Sequence, residues 1–308
     1  MRDEVYVLGA GFSKDAGGPL VSEFLSESRQ NRAVSDFQEA SEFTAVKRLL
    51  ESLPRAERNI EGVLNYVSNL RFVRGSISRF SPQTILDFLT DYIVALLAGR
   101  VKDVPEHYNT FVNNVLSSDR AAILTFNYDL LMDSLLAEHA GQFNYGFPSE
   151  DRYRLYGGLR RVRAGIPLLK LHGSINWSIC SFCHTIGLHQ EVVHTGRACP
   201  RGCSGRWKPL IVPPTWDKLP YATNLRLLWA QAKDLIENAS TVVVIGFSFS
   251  PLDRLARDLF RRSFSRNKSV ELHVHNGPNY EYEALELSLG VKTESSGLRF
   301  QDGLNILA

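Results

Sequence analysis

The sequence predicts an α/β fold with a doubly wound parallel sheet, a helical insertion and a small zinc-ribbon module. Short runs of aliphatic and β-branched residues alternate with helical stripes of apolar residues, as in sheets covered by helices on both faces. Each such run ends in a glycine or polar cluster. All four cysteines lie between Cys180 and Cys203, which marks a separate small module.

Five short runs are predicted strands. They are nearly continuous in hydrophobicity, which is typical of strands buried on both faces of a parallel sheet, although short apolar runs remain ambiguous with helix. The runs are Val5 to Leu8, Ala121 to Thr125, Leu168 to Leu171, Thr241 to Ile245 and Val270 to Val274.

Helical periodicity fills the gaps between these runs. The segment from Val21 to Arg100 reads as mostly helical, with apolar stripes that begin at Ile60 and at Ile85. A further helix is predicted over Ala222 to Glu237. The last segment, Gly290 to Ala308, fits either an edge strand or a docking tail.

Composition excludes several classes of protein. The chain has 308 residues, of which 44% are hydrophobic, so it can bury a large core as one large or two unequal domains. Disordered, collagenous and disulfide-scaffold classes are excluded. The formal net charge of +2 gives no drive toward nucleic acid or an anionic membrane.

The amino terminus does not read as a signal peptide, because acids follow the first Arg and the apolar run has only four residues. No apolar stretch approaches the roughly 18 residues of a membrane span. We therefore expect a soluble, cytoplasmic protein. In a reducing compartment, clustered cysteines are metal ligands more often than disulfides.

The clusters after the five strands predict one crevice, because ligands of open parallel sheets bind outside the carboxyl ends of the strands. The first strand is followed by Gly9, Ala10, Gly11, Phe12 and Ser13. The second is followed by Asn127 and Asp129, the third by His172, and the fourth by Gly246 and Ser248. Asn276 follows the fifth.

The first glycine cluster is a candidate phosphate site. Gly9 and Gly11 let the backbone approach a pyrophosphate, a following helix would direct its N–H groups toward it, and Ser13 could add a hydroxyl. A tight strand-to-helix turn is the alternative, since Lys14 stands where the dinucleotide fingerprint has its third glycine.

The fourth cluster is a second candidate anion site. Ser250 is predicted to cap a helix whose first residue is Pro251, with Asp253 three residues after the cap. That helix would begin beside Gly246 and Ser248. Two helix starts suit a diphosphate.

Three side chains are candidates for chemistry. His172 at a strand end could move a proton near neutral pH, although a core or surface role is the alternative. Asn127 could orient a hydroxyl or a water. Asp129 fits a ligand role and an N-cap of the helix from Leu130 to Glu138 equally well.

The cysteine spacing predicts a closed, structural zinc site. Cys180 and Cys183 are followed after fifteen residues by Cys199 and Cys203, which is the pattern of a four-thiolate ribbon with a longer second knuckle. A mixed ligand set that uses a neighbouring histidine stays open; these histidines are His184, His189 and His194.

Basic residues cluster at two places, near Arg152 to Arg163 and from Arg254 to Arg266. A solvated helix face is the usual explanation for such a pattern, and a contact with protein or nucleic acid is the alternative.

The ordered set of motifs resembles the sirtuin family. The motifs are Gly9 to Ser13, Thr125 to Asp129, Leu171 to Gly173, the four cysteines, Gly246 to Ser248, and Asn276. The resemblance implies NAD binding by Gly9, Ala10, Gly11, Phe12, Ser13, Asp129, Gly246, Ser248 and Asn276. It also implies catalytic roles for Asn127 and His172 and a structural zinc ion on the cysteines.

At two places the chain departs from the deacylating sirtuins and resembles the bacterial sirtuin-like branch of antiphage defence, whose members hydrolyse NAD. The stretch from Gly18 to Phe24 has no Arg where deacylating sirtuins have a Phe-Arg pair, and Pro213 and Pro214 interrupt the strand that would bind an acyl-lysine peptide. The resemblance implies a homo-oligomer and a separate activating partner such as an ATPase. NAD-dependent deacylation, and a non-catalytic module that senses NAD or ADP-ribose, are the alternatives.

We expect three parts in the chain. Residues 1–20, 101–178 and 209–308 form a Rossmann-like NAD-binding domain, residues 21–100 a helical insertion, and residues 179–208 the zinc-ribbon module.

Overall fold

The computed structural model describes residues 4–25, 34–71, 73, 75–98, 104–118, 120–139, 143–148, 153–156, 165–193, 195–212, 223–251, 253–295 and 300. Its strands are β1 (Glu4–Leu8), β2 (Ala121–Thr125), β3 (Phe143–Asn144), β4 (Tyr153–Leu155), β5 (Ile166–Lys170), β6 (Gly173–Cys180), β7 (Ile186–Leu188), β8 (Trp207–Ile211), β9 (Thr241–Ile245), β10 (Glu271–His275) and β11 (Glu294–Ser295).

The helices cover both the insertion and the sheet. They are α1 (Ser35–Glu39), α2 (Ser41–Ser52), α3 (Ile60–Leu70), α4 (Pro82–Leu97), α5 (Glu106–Ser117), α6 (Leu131–His139), α7 (Arg226–Glu237), α8 (Arg254–Arg266) and α9 (Tyr282–Leu289). Of the helices in the described ranges, none is long and apolar enough to cross a membrane.

The main sheet is doubly wound, as predicted. Its seven strands run parallel in the order β11-β10-β9-β1-β2-β5-β3. From β1 the chain moves outward through β2 to β5, and it later returns to β9 on the other side of β1. The order therefore reverses between β1 and β9, which is the switch point where such sheets bind ligands.

The five predicted strands are all present, and the third and fifth are displaced by one or two residues. β5 ends at Lys170 rather than Leu171, and β10 runs one residue later than predicted. Val5, Val7 and Leu8 of β1 have no exposed surface, which matches the continuous hydrophobicity of a strand covered on both faces.

The predicted helical insertion contains α1 to α4, here called the helical block. Asn59 caps α3 by accepting the Gly62 N–H at 3.0 Å, and Ser81 caps α4 by accepting the Thr84 N–H at 3.1 Å. The block has its own apolar core, which also includes Ile175 of β6 and Ile211 of β8. It therefore packs against the small sheet as well as against itself.

The small sheet has the order β4-β7-β6-β8 and extends beyond residues 179–208 at both ends. β6 begins at Gly173, only two residues after Leu171. Gly173 is required there, because its φ is +81° and a Cβ would lie 2.0 Å from the Leu210 carbonyl oxygen. His172 consequently lies at the junction of the two sheets.

Two predicted helix starts are corrected. No helix follows the first glycine cluster within residues 9–25, because Gly17 adopts φ +88° and Pro19 lacks an N–H, so the chain forms turns. α8 begins at Arg254, three residues later than predicted, with Asp253 as its cap. Ser250 is not the cap because its hydroxyl donates to Glu61 instead.

The end of the chain is in part an edge strand, since β11 pairs with β10. Phe300 is buried against Phe12, with 4.8 Å between the ring centroids. The basic residues of α8 lie mostly on its exposed face, as expected of a solvated helix. Of the other basic cluster, Arg154 lies in β4, whereas Arg152, Arg160, Arg161 and Arg163 lie outside the described residues.

Candidate active site

A crevice opens at the carboxyl ends of β1 and β9, with about 840 Å³ of empty space including its mouth to solvent. Eight predicted site residues line it: Gly9, Ala10, Ser13, Asn127, Asp129, His172, Gly246 and Ser248. Gly11, Phe12 and Asn276 are not among the lining residues. The clusters that follow four separate strands thus meet at one place.

Glycines allow the loops after β1 and β9 to touch. A Cβ on Gly246 would lie 2.2 Å from the Phe12 nitrogen, and a Cβ on Gly9 would lie 2.5 Å from the Gly246 carbonyl oxygen. The N–H of Gly9 donates to Ile245 at 3.0 Å, and that of Gly11 to Gly246 at 2.9 Å. These two N–H groups therefore join the loops to each other.

Asn127 is held in one orientation. Its Nδ2 donates to the Gly9 carbonyl at 2.9 Å and to the Ser13 hydroxyl oxygen at 3.0 Å. A carbonyl oxygen can only accept, so the amide nitrogen must point toward Gly9. This leaves Oδ1 of Asn127 as the atom that could accept a hydrogen bond from a ligand or water.

The position of Asp129 fits both roles that the sequence left open. Asp129 lines the crevice, and its carboxylate also accepts the Leu131 N–H at the start of α6, at 3.1 Å. Burial raises the pKa of Asp129 above its usual value. The Lys170 ammonium, the Leu131 N–H and the Ser13 hydroxyl act in the opposite direction.

Lys170, at the end of β5, was not a sequence candidate. Its side chain is 1% exposed, and its ammonium pairs with Asp133 of α6 at 2.8 Å and donates to the Asp129 carbonyl at 2.5 Å. Tyr145 donates to the other oxygen of Asp133. A buried, satisfied ion pair thus supports the loop that carries Asn127 and Asp129.

His172 forms a buried pair with Asp253. Its Nε2 lies 3.0 Å from Oδ2 of Asp253, and both side chains are about 5% exposed. The other oxygen, Oδ1, accepts the Ala256 N–H at 3.1 Å and so caps α8. One carboxylate therefore orients the imidazole and starts a helix. Sequence reasoning assigned Asp253 to the helix alone and missed this contact.

The helical block forms the apolar wall of the crevice, together with the segment that leads into it. Their lining residues are Pro19, Val21, Phe24, Ile60, Glu61, Ile93 and Leu97. Glu61 is the acidic member, and its carboxylate accepts the Ser250 hydroxyl at 2.9 Å. The block thus contributes a charged group that the sequence analysis did not identify.

Asn276 and Phe12 support the crevice from behind. Nδ2 of Asn276 donates to the Phe247 carbonyl at 2.7 Å, which ties β10 to the loop after β9. Tyr280 donates to the Ser248 carbonyl at 2.9 Å. Phe12 is buried among aromatic rings, and its carbonyl accepts the hydroxyl of Tyr108 at 2.5 Å.

The four cysteines meet in the small module. The Sγ atoms of Cys180, Cys183, Cys199 and Cys203 all lie within 4.8 Å of one another. Two of the Sγ pairs are 3.5 Å and 3.7 Å apart. A tetrahedral zinc ion with Zn–S bonds of about 2.3 Å would separate its sulfurs by about 3.8 Å, so the site fits zinc.

The cluster in the described part of the chain contains only the four thiols as candidate ligands. His189 instead contacts the Ser178 hydroxyl through Nε2 at 2.8 Å. Burial lowers the pKa of His189 to about 4, and Arg197 adds to this effect. His194 lies outside the described residues.

The sequence matches no family model and no curated protein. Among solved structures, it is similar to a Sir2 homologue mutant bound to ADP-ribose, with 12% identity, 99% of this chain and 89% of the other covered, and a TM-score of 0.49. It is also similar to a Sir2 homologue in complex with NAD, with 14% identity, 99% of this chain and 87% of the other covered, and a TM-score of 0.46. A third similar structure is Sir2 in complex with an inhibitor, 2′-O-acetyl-ADP-ribose and a deacetylated p53 peptide. Its identity is 16%, the match covers 99% of this chain and 91% of the other, and the TM-score is 0.44. The similarity to these structures is one of fold.

Proposed function

We propose that this protein hydrolyses NAD at the bond between nicotinamide and ribose, releasing nicotinamide and ADP-ribose. The observation that carries the proposal is the meeting of Asn127 and the His172–Asp253 pair in one crevice at the switch point of the sheet. We assign Gly9, Ala10, Ser13, Gly246 and Ser248 to contacts with the dinucleotide. Gly11 and Asn276 support these contacts by holding the loop after β9, and Phe12 supports them through its N–H, which donates to the Gly9 carbonyl within the loop after β1.

In this reaction the bond between ribose C1′ and the nicotinamide nitrogen breaks, and its electron pair leaves with nicotinamide. The ribose passes through an oxocarbenium-like state, and C1′ then bonds to the oxygen of a water. Asp253 binds Nε2 of His172 and so orients the imidazole. His172 accepts the proton of a ribose hydroxyl or of that water. Oδ1 of Asn127 orients the water.

The arrangement around β8 favours water over a peptide as the second reactant. β8 is an edge strand of the small sheet, and Pro209 within it has no N–H to offer a peptide backbone. Helix α4 packs beside β8, and Lys208 forms an ion pair with Asp87 of α4 at 3.3 Å. Pro213 and Pro214 lie outside the described residues.

The test incubates the purified protein with NAD alone and follows nicotinamide by chromatography. We expect release by the wild type and a loss of about 10²- to 10⁴-fold in His172→Ala, because a general base is removed. His139→Ala, which changes an exposed histidine at the end of α6, is the matched control and retains the rate. Full activity in His172→Ala would rule out its role as the base.

The same assay separates the two alternative functions. Release of nicotinamide only in the presence of an acyl-lysine peptide would identify a deacylase. Binding of ADP-ribose without any turnover would identify a sensing module.

We further propose that the activity serves bacterial antiphage defence through NAD depletion. An enzyme that acted constitutively at its full rate would consume the NAD of its own cell, so we assign the increase above a basal rate to homo-oligomerisation and to a separate partner such as an ATPase. The measurement is cellular NAD before and after phage infection, with His172→Ala as the control strain. A fall in NAD that is equal in both strains would exclude this role.

A further inference from the structure

The crevice contains a carboxylate that the reaction described above does not use. Glu61 lies in the first turn of α3, in the helical block, and is half-buried. It lines the same crevice as His172 and Asn127, although those residues follow strands of the main sheet. The block therefore contributes a charged group to a site that is otherwise built by the sheet.

A specific contact holds the Glu61 carboxylate toward the sheet. The hydroxyl of Ser250, in the loop after β9, donates to Oε2 of Glu61 at 2.9 Å. This contact uses the Ser250 hydroxyl that the sequence predicted as a helix cap.

The charges of Glu61 and Asp253 act on the same part of the crevice. Tyr128 lies between the main sheet and the small sheet, where its hydroxyl donates to the Val212 carbonyl at 2.7 Å. Burial, together with the negative charges of Glu61 and Asp253, raises the pKa of Tyr128 well above its usual value. The lining residues of the crevice in the described part of the chain include three carboxylates, of Glu61, Asp129 and Asp253, and no Lys or Arg, so the crevice suits a cation.

NAD carries a cation at its reacting end, and the reaction moves that charge. The pyridinium is positive before the bond breaks, and the ribose carbon becomes positive as the electron pair leaves with nicotinamide. A preorganised carboxylate in a partly dry site stabilises charge that develops in this way.

We propose that Glu61 is a catalytic carboxylate contributed by the helical block, which binds the pyridinium end of NAD and stabilises the positive ribose carbon during cleavage. The inference rests on the proposed hydrolysis of NAD. It gives the helical block a chemical role in addition to its role as a wall.

The first test measures nicotinamide release by Glu61→Gln. The Gln carbonyl oxygen can still accept from Ser250, so the variant removes the charge and retains the contact. We expect kcat to fall by about 100-fold or more, with the KM for NAD changed much less. Glu57→Gln makes the same change at an exposed position of the block and retains the rate.

Ser250→Ala is the complementary variant, because it removes the contact and retains the charge. We expect a much smaller loss of kcat than in Glu61→Gln. Equal losses in both variants, or wild-type kcat in Glu61→Gln, would show that Glu61 acts only as a structural partner of Ser250 and would overturn the proposal.

A binding measurement decides the placement of Glu61 without turnover. In the His172→Ala background, calorimetry compares NAD, which has a cationic ring, with NADH, whose ring is neutral. We expect Glu61→Gln to reduce the preference for NAD by about tenfold, the lower end for close charge pairs, and to leave the affinity for ADP-ribose unchanged. An unchanged preference places Glu61 away from the ring and overturns the proposal. If the wild type releases no nicotinamide, the proposed hydrolysis is refuted. The preference for NAD over NADH still tests whether Glu61 lies beside the nicotinamide ring.

Discussion

At the scale of single residues, the chemistry of the crevice depends on side chains that do two things at once. Asp253 caps α8 with one oxygen and holds His172 with the other. Asn127 uses both amide hydrogens on the glycine loop, which leaves its oxygen directed elsewhere. Such double use preorganises a site, because moving the side chain would also break a structural contact.

The first prediction concerns Asp253→Asn. Asn is as good a helix cap as Asp, so the melting temperature should change little. An amide cannot stabilise a protonated imidazole as a carboxylate does, so kcat for nicotinamide release should fall by up to about 10⁴-fold. The two measurements are thermal unfolding and nicotinamide release.

Asp258→Asn is the control for this prediction, since it removes the same charge from the exposed face of α8. A rate in Asp253→Asn equal to that of the control would show that the carboxylate only caps the helix.

At the scale of elements, the small sheet connects the zinc cluster to the crevice. β6 begins beside His172 and ends at Cys180, one of the four thiols. A structural metal at the far end of β6 would therefore help fix the position of the histidine, although it lies outside the crevice.

The second prediction follows from this connection. Cys203→Ser should abolish bound zinc and lower the melting temperature, because a structural site needs all four ligands and contributes directly to folding free energy. Elemental analysis and thermal unfolding measure the two effects. A wild-type protein purified in the presence of zinc that carries none would contradict the assignment.

The third prediction concerns the pH dependence of stability in the small sheet. His189 has a pKa of about 4 in the folded protein because of burial, below its unperturbed value of about 6.5. Between these values the unfolded chain binds more protons than the folded chain. The contribution of neutral His189 to stability is therefore present above about pH 6.5 and is lost as the pH falls toward 4.

His189→Gln tests this prediction, since its amide can still reach the Ser178 hydroxyl. The melting temperature of the variant should fall less steeply than that of the wild type between pH 7 and pH 4.5. Zinc content is measured at each pH, because acid also protonates the thiols. Parallel curves at equal zinc content would assign the acid sensitivity to other groups.

At the scale of the whole molecule, two separate apolar cores meet at the crevice. The core of the main sheet includes Phe126 and Phe247, which line it from one side. The core of the helical block includes Phe24 and Ile93, which line it from the other. A ligand in the crevice would contact both cores and couple their stabilities.

The fourth prediction is that ADP-ribose raises the melting temperature. A ligand at 100 times its Kd stabilises the folded state by about 2.7 kcal/mol. Gly246→Ala should lose this increase, because its methyl group would lie 2.2 Å from the Phe12 nitrogen and separate the two loops.

Gly290→Ala is the matched control for this experiment. It places a methyl group at a similar φ of +69°, with nothing within 4 Å. It should therefore unfold at a somewhat lower temperature and keep the increase with ADP-ribose. A wild type that shows no increase at any concentration would exclude ADP-ribose binding in the crevice.

Five strands of the main sheet, and the edge of that sheet at which the crevice lies, could be predicted from the sequence. β2 and β9 have the predicted bounds, β1 begins one residue earlier than predicted, and the four cysteines meet as their spacing predicts. These features are local, because apolar periodicity and ligand spacing act over a few residues. The clusters after parallel strands meet because all of those strands end at one edge.

The contacts between side chains across that edge could not be predicted from the sequence, because they join residues far apart in the chain. Ser250 and Glu61 are 189 residues apart in the chain, and Asn127 and Gly9 are 118 apart. The pair of His172 and Asp253 likewise joins different elements, and the local Ser250 to Asp253 pattern indicated a different cap. Such contacts depend on the path of the backbone between the elements, which a local capping pattern does not specify.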